Sequence, residues 1–208
     1  MKHALIVGNG MAPPASLLQQ EVARCDLFVA ADGGGNSCMA LGFEPDVVVG
    51  DMDSFWQTEY PFIPVVKDDD QETNDLEKAL WYVLREGAER VTVLGATGAR
   101  LDHTLKNLSV MVQFRDRFSQ LTFRDGMGWI QLLPRDFVAE VAADTAISLF
   151  PLSGRVEGIT TDGLAYPLRG ESLENGVRDG SSNRATSGTI RITHQTGHLL
   201  LMVFDGVY

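Results

Sequence analysis

Positive charge is in short supply in this chain. Its 208 residues include 17 Lys or Arg against 28 Asp or Glu, a formal net charge of −11. With no basic stripe to meet a phosphate backbone, a nucleic-acid partner is not expected, and an anionic membrane surface would repel the protein. Cysteine is scarce as well. Cys25 and Cys38 show neither C-x-x-C nor metal-ligand spacing and read as reduced, structural thiols. No apolar run reaches membrane-spanning length. The strand-like run Ala4-Leu5-Ile6-Val7 comes too soon after Met1 for a secretion signal, so the expected location is cytoplasmic. Two nucleotide-binding signatures are also missing. No G-x-x-x-x-G-K-[ST] occurs, and Gly8-x-Gly10 lacks the third glycine of the dinucleotide fingerprint because position 13 is proline.

What is present is an ordinary globular composition, 44% hydrophobic and 22% charged, in a length that suits one large domain or two small ones. The first part alternates strands and helices. Ala4 to Val7, Leu27 to Ala31, Asp46 to Val49 and Arg90 to Leu94 read as buried strands, with a short one at Ile63 to Val66. Pro13-Pro14 opens a helix to about Arg24, and Asp32 to Asn36 reads as a turn after the second strand. Asn74 to Glu86 carries Leu76, Ala79, Leu80, Val83 and Leu84 on one helical face. Asn74 and Glu77 form a capping-box pattern, and Gly87 ends the helix. A last helix carries Leu101, Leu105, Leu108 and Val112 on one face. This alternation predicts an α/β domain with a mainly parallel sheet. After a hairpin turn at Asp125-Gly126 the pattern changes to short strands, among them Trp129 to Leu133, Ala146 to Phe150, Thr189 to Thr193 and Leu199 to Phe204. The expected organisation is an α/β domain over residues 1–125 and an antiparallel β-sandwich over 126–208.

Polar clusters fall at the carboxyl ends of the α/β strands, where open α/β sheets bind ligands. Gly50-Asp51-Met52-Asp53-Ser54 follows Val47-Val48-Val49 and offers two carboxylates to a hard cation such as Mg²⁺. An isolated G-D-x-D is equally an acidic turn capping its own backbone. Lys67 to Glu72 supplies further acids, which read either as a solvated charge run or as partners of Asp51 and Asp53. Asp75 opens the capped helix, where the helix dipole favours its charge. Gly95 to Arg100 lies between a strand and a helix, with glycines that admit phosphate and an arginine fork for phosphoryl oxygens.

In order along the chain stand A-D-G-G-x-N (Ala31 to Asn36), G-D-x-D-S (Gly50 to Ser54) and D-Q-x-x-x-D-x-E-K-A-L (Asp70 to Leu80). G-A-T-G-x-R-x-D-H-T-L-x-N-L (Gly95 to Leu108), the stretch Gly158 to Leu168 and the pair Ser182-Asn183 follow. Together they resemble thiamine pyrophosphokinase over nearly the whole chain. The resemblance implies a homodimer of an α/β domain and a β-sandwich that moves a diphosphoryl group from ATP to the hydroxyl of thiamine, with thiamine bound where subunits meet. It implies Asp51, Asp53 and Asp75 as Mg²⁺-binding acids, with Arg100 and Asp102 completing the catalytic set. Asp32, Gly33, Gly34, Asn36, Gln71, Thr97, Gly98 and Arg100 are implied on the nucleotide side. Gln71, Asp102, Ser182 and Asn183 are implied on the thiamine side, the last two in a loop.

The chain departs from the family at several positions. Asn74 replaces a threonine and caps a helix equally well. Ala99 replaces a common glycine, Gly35 an alanine and Met52 a phenylalanine, and Arg184 stands where bacterial relatives often carry glutamate. Three rival readings share the residues: a diphosphokinase acting on a pterin-type alcohol, a non-catalytic nucleotide or thiamine sensor, and a Mg²⁺-dependent phosphohydrolase.

Overall fold

The apolar runs HALIV, LFVAA and VVVG become buried strands at the centre of the first unit. The computed structural model describes residues 1–206. It divides into Met1–Gly126 and a second unit from Met127 onward, one residue past the boundary expected from sequence.

In the first unit the order is β1 (His3–Val7), α1 (Ala15–Val22), β2 (Leu27–Ala31), α2 (Gly34–Ala40), β3 (Val47–Gly50) and β4 (Val65–Lys67). Then come α3 (Asp75–Arg85), β5 (Arg90–Leu94), α4 (Leu101–Gln113) and β6 (Gln120–Asp125). The strands lie side by side as β6-β5-β1-β2-β3-β4. Every pairing among them is parallel. Parallel strands covered on both faces read as unbroken apolar runs, and Leu5, Ile6, Val7, Val48 and Leu94 are all fully buried. Each such side chain stabilises the fold by about 1.5–3 kcal/mol relative to exposure. The chain steps outward from β1 through β4, then returns to the other side of β1 as β5. That reversal makes the gap between β1 and β5 the switch point of the sheet, where ligands are expected.

Helix α3 forms as the sequence predicts. The Asn74 side chain accepts a hydrogen bond from the Glu77 amide at 3.0 Å, Asp75 and Glu77 occupy the first turn, and Arg85 the last. Two other expectations are corrected. The stretch Asp32 to Asn36, read as a turn, runs into a helix at Gly34. The leucine stripe of α4 exists but is not the face that packs. Asn107, Val110 and Met111 are buried, while Leu101 and Leu105 remain 72% and 58% exposed. The rotation is set by Phe114, just past the helix, whose ring meets Trp81 of α3 edge-on at 4.9 Å.

The second unit holds β7 (Gly128–Leu132), β8 (Asp136–Glu140), β9 (Ala146–Pro151) and β10 (Val156–Asp162). These are followed by β11 (Arg169–Leu173), β12 (Gly180–Arg184), β13 (Thr189–Thr193) and β14 (Leu199–Phe204). They form two antiparallel layers, β12-β9-β14-β7 and β11-β10-β13-β8. Inward residues of both layers, including Ile147, Leu149 and Leu201 from one and Ile159, Leu173 and Ile192 from the other, share one core. Among the described residues no helix is long and apolar enough to cross a membrane.

Candidate functional site

Four segments at the carboxyl ends of β1, β2, β3 and β5 meet at the switch point, and a cavity of about 350 Å³ opens there. Gly8, Asn9 and Gly10 form one wall, Gly95 to Thr97 with Ala99 and Arg100 another, and Asp53, Ser54, Asn74 and Asp75 the acidic side. The Gly8–Gly10 loop is not a free phosphate cradle. Two of its amides are already committed, Gly8 N–H to the Leu94 carbonyl and Gly10 N–H to the Gly95 carbonyl, both at 2.8 Å. This zipper pins the two loops to each other.

The acidic side is built from beneath. Asp32, 1% exposed, accepts the Ser54 amide at 3.1 Å and the Phe55 amide at 3.2 Å through different oxygens. Asn36 donates to the Ser54 carbonyl at 2.8 Å and accepts the Trp56 amide at 3.0 Å. Between them these two side chains fix the backbone from Ser54 to Trp56. Asp51 accepts the Asp53 amide at 3.1 Å, so the turn does cap its own backbone, and Asp53 accepts the Ser54 hydroxyl at 2.8 Å. Carboxylate oxygens of Asp32, Asp51 and Asp53 lie within 4.8 Å of one another, close enough to share a cation. Asp75 approaches the same point. A Cβ on Gly50 would stand 2.7 Å from the Asp32 Cβ and 3.0 Å from Asp75 Oδ1, which is why the end of β3 has to be glycine.

Such crowding perturbs titration. Burial, followed by the charge of Asp75, raises the pKa of Asp32 above the ordinary carboxyl value, while the Phe55 and Ser54 amides pull it back. Burial also raises Asp75. Lys78 opposes that shift and the charges of Asp51 and Asp53 add to it. The Lys78 ammonium is itself buried and sits 3.7 Å from Asp75 Oδ1. Carboxylates pushed together in this way suit a hard divalent ion, whose charge relieves their repulsion.

Arg100 borders the cavity, but its fork is occupied. It donates to Asp102 through Nε at 3.1 Å and Nη2 at 2.5 Å, an exposed bidentate pair that lowers the Asp102 pKa. Thr97 also borders the cavity and donates to Asp125 at 3.1 Å, with Gly98 next to it in the loop. Gly33 caps α2 and Gly34 opens it, the first against the Asn9 side chain and the second against the Val7 backbone. Gln71 lies in the exposed Asp68–Glu72 run and donates to the Asp69 carbonyl at 3.3 Å. That run binds itself, with Asp70 accepting the Glu72 amide and Lys67 pairing with Asp69. Of the acids from Lys67 to Asp75, only Asp75 joins the cavity.

In the second unit Ser182 and Asn183 lie on strand β12, not in a loop. Asn183 is buried. It accepts the amides of Tyr166 and Arg184 and donates to the Tyr166 carbonyl at 2.8 Å. Arg184 is exposed and pairs with Asp144 at 3.4 Å.

Asn9, Thr104 and Asn107 also border the cavity, and sequence reading assigned none of them a role. The signal was present all the same, since Thr104 and Asn107 stand in the Gly95 to Leu108 pattern and Asn9 lies between Gly8 and Gly10.

A parallel sheet with acids and glycine loops at its switch point, followed by an antiparallel sandwich, defines a class of two-part α/β protein with a ligand site at its strand ends. Comparison with known proteins narrows it. Residues 18–123 match the model of the thiamin pyrophosphokinase catalytic domain, and residues 137–199 that of the thiamin pyrophosphokinase vitamin B1 binding domain. Thiamine pyrophosphokinase 1 of Oryza sativa subsp. japonica is 30% identical over 223 residues, covering 92% of this chain and 83% of the relative. The Bacillus subtilis enzyme is 27% identical over 180 residues, covering 81% and 82%. A crystal structure of thiamine pyrophosphokinase from Bacillus subtilis shares the fold with TM-score 0.84 at 22% identity, covering 99% of this chain and all of that one. The Candida albicans structure does so with TM-score 0.83 at 19% identity, covering 98% and 90%. The chain belongs to the thiamine pyrophosphokinase family, whose members are enzymes.

Proposed function

We propose that the chain transfers the diphosphoryl group of ATP to the hydroxyl of thiamine, giving thiamine diphosphate and AMP. The carrying observation is the convergence of Asp32, Asp51, Asp53 and Asp75 beside the Gly95–Arg100 loop at the switch point of the sheet. Asp51, Asp53 and Asp75 would hold Mg²⁺, with Asp32 bracing the loop from below and lying within reach of the same ion. When bound, the ion neutralises phosphate charge and orients the triphosphate. The chain's own residues supply the rest. Arg100 exchanges Asp102 for phosphoryl oxygens, which match its fork as well as a carboxylate does. Asp102, released by that exchange, is the first candidate to take the hydroxyl proton. Diphosphoryl transfer to an alcohol depends mainly on positioning and charge stabilisation, so a strong base is not required. On the thiamine side, Asn183 acts by holding the Tyr166 backbone, and Ser182 sits beside it on β12.

The exposed Leu101 and Leu105 of α4 support a homodimer, since such a stripe is usually covered by a partner surface. Net acidity and the lack of a membrane-crossing helix among the described residues support a cytoplasmic protein without nucleic-acid partners.

The test incubates the protein with ATP, Mg²⁺ and either thiamine or a pterin-type alcohol, with products followed by mass. Thiamine diphosphate and AMP in equal amounts are expected. Inorganic phosphate without thiamine, or transfer only to the pterin alcohol, would replace this reading with one of its rivals.

A further inference from the structure

Asn74 and Asn107 stand on different helices and both border the cavity. The Asn74 Nδ2 donates to Asn107 Oδ1 at 2.8 Å, and Asn107 Nδ2 donates to the Ala96 carbonyl at 2.8 Å. Asn74 Oδ1 meanwhile accepts the Glu77 amide at 3.0 Å. The direction of this chain is set at both ends by backbone groups. The Ala96 carbonyl can only accept, so Asn107 must turn its NH₂ toward it and its oxygen toward Asn74. The Glu77 amide can only donate, so Asn74 must turn its oxygen there and its NH₂ toward Asn107. Neither amide can flip without bringing like against like.

We propose that the Asn74–Asn107 amide bridge is a positioning device for the diphosphoryl transfer, setting the separation between the Asp75 carboxylate and the Gly95–Arg100 phosphate loop. This rests on the activity proposed above. Asp75 follows Asn74 directly, and Ala96 is inside the loop, so the bridge links the two halves of the site through two side chains. It is not what holds the helices together. Farther along, Glu77 of α3 already accepts Lys106 at 3.2 Å and Gln113 at 2.6 Å from α4. The bridge adds a constraint at the cavity end, where the reacting groups must align.

A double-mutant cycle on turnover tests this, using Asn74→Ser and Asn107→Ser. Serine keeps the helix cap but is too short to span the gap. Misplacement near 1 Å costs up to about 10²-fold, so each single variant should lose about tenfold in kcat or more while KM for ATP moves within about twofold. The double variant should lose no more than the worse single, because either change cuts the same link. Losses that multiply, an unaltered kcat in Asn74→Ser, or effects confined to KM would overturn the bridge. If Asn107→Ser does not fold, as judged by a cooperative melt, Asn107→Leu takes its place in the cycle. Wild-type turnover is measured first. Its absence overturns the activity reading and this role with it, whereas normal wild-type turnover with multiplicative variants overturns the bridge alone.

Discussion

Two acidic stretches lie close together in sequence and behave in opposite ways. The loop Gly50 to Ser54 carries two carboxylates, and the run Lys67 to Glu72 carries more. Yet the first converges with buried Asp32 and with Asp75, while the second faces solvent and satisfies its oxygens internally. The Lys67–Asp69 pair at 3.0 Å is exposed on both sides, an arrangement worth about 0–1 kcal/mol. The difference is not acid density. It is support from below: Asp32 and Asn36 between them hold the backbone of Ser54, Phe55 and Trp56, so the Asp51 and Asp53 carboxylates are placed before any ligand arrives. A site needs like charges held where they would otherwise separate, and that requires buried anchors.

The largest expected effect divides the two stretches directly. Asp53→Asn should lower turnover by at least about 10²-fold, comparable to losing one preorganised electrostatic contact. Asp69→Asn should leave steady-state kinetics within about twofold, as surface substitutions usually do. Equal losses in both would erase the distinction.

The second unit offers the same contrast between a committed and an exposed side chain. Asn183→Ala removes the buried side chain that bonds the Tyr166 amide and carbonyl and the Arg184 amide, so denaturant melts should show a loss of about 1–3 kcal/mol together with a higher KM for thiamine. Ser182→Ala, at an exposed position, should leave stability nearly unchanged. An Asn183→Ala protein with a normal melt would make that side chain dispensable to the strand.

Arg100 tests the exposed rim of the cavity. Lysine keeps the charge but not the fork, so Arg100→Lys should lose about tenfold in turnover at saturating ATP, the equivalent of one charge-assisted hydrogen bond. Full activity would reduce Arg100 to a distant charge.

The smallest effect concerns the cap beside Asp75. Asn74→Ala should cost about 0.5–2 kcal/mol in a denaturant melt, and Asn74→Thr, which keeps a capping oxygen, much less. Identical melts for Ala and Thr would reject the cap.

Much of this arrangement is legible in the sequence, for a physical reason. Parallel strands buried on both faces leave continuous apolar runs, so β1, β2, β3 and β5 stand out, and the acids that follow them are placed at one edge by the fold itself. Helix α3 is legible because its stripe and its cap agree. Helix α2 is not. It opens on Gly-Gly-Asn, poor helix formers, and is held by tertiary fit, with Gly34 so close to β1 that a Cβ would strike the Val7 carbonyl oxygen at 2.1 Å. Strand β12, Gly-Ser-Ser-Asn-Arg, has no strand-like composition and exists because it pairs with β9. The leucines of α4 announce an apolar face without saying whether it turns to the sheet or away. Within the candidate site, Asp51, Asp53 and Asp75 are visible from motif and position. The supporting work of Asp32 and Asn36 and the Asn74–Asn107 bridge depends on contacts between distant segments that no local pattern encodes.

Titrating Mg²⁺ into the protein with a non-hydrolysable ATP analogue bound, by calorimetry, tests most directly whether support and not acidity makes the site. Wild type and Asp69→Asn should show the same saturable binding, and Asp53→Asn should lose it. Binding retained in Asp53→Asn, or lost in Asp69→Asn, would contradict the account.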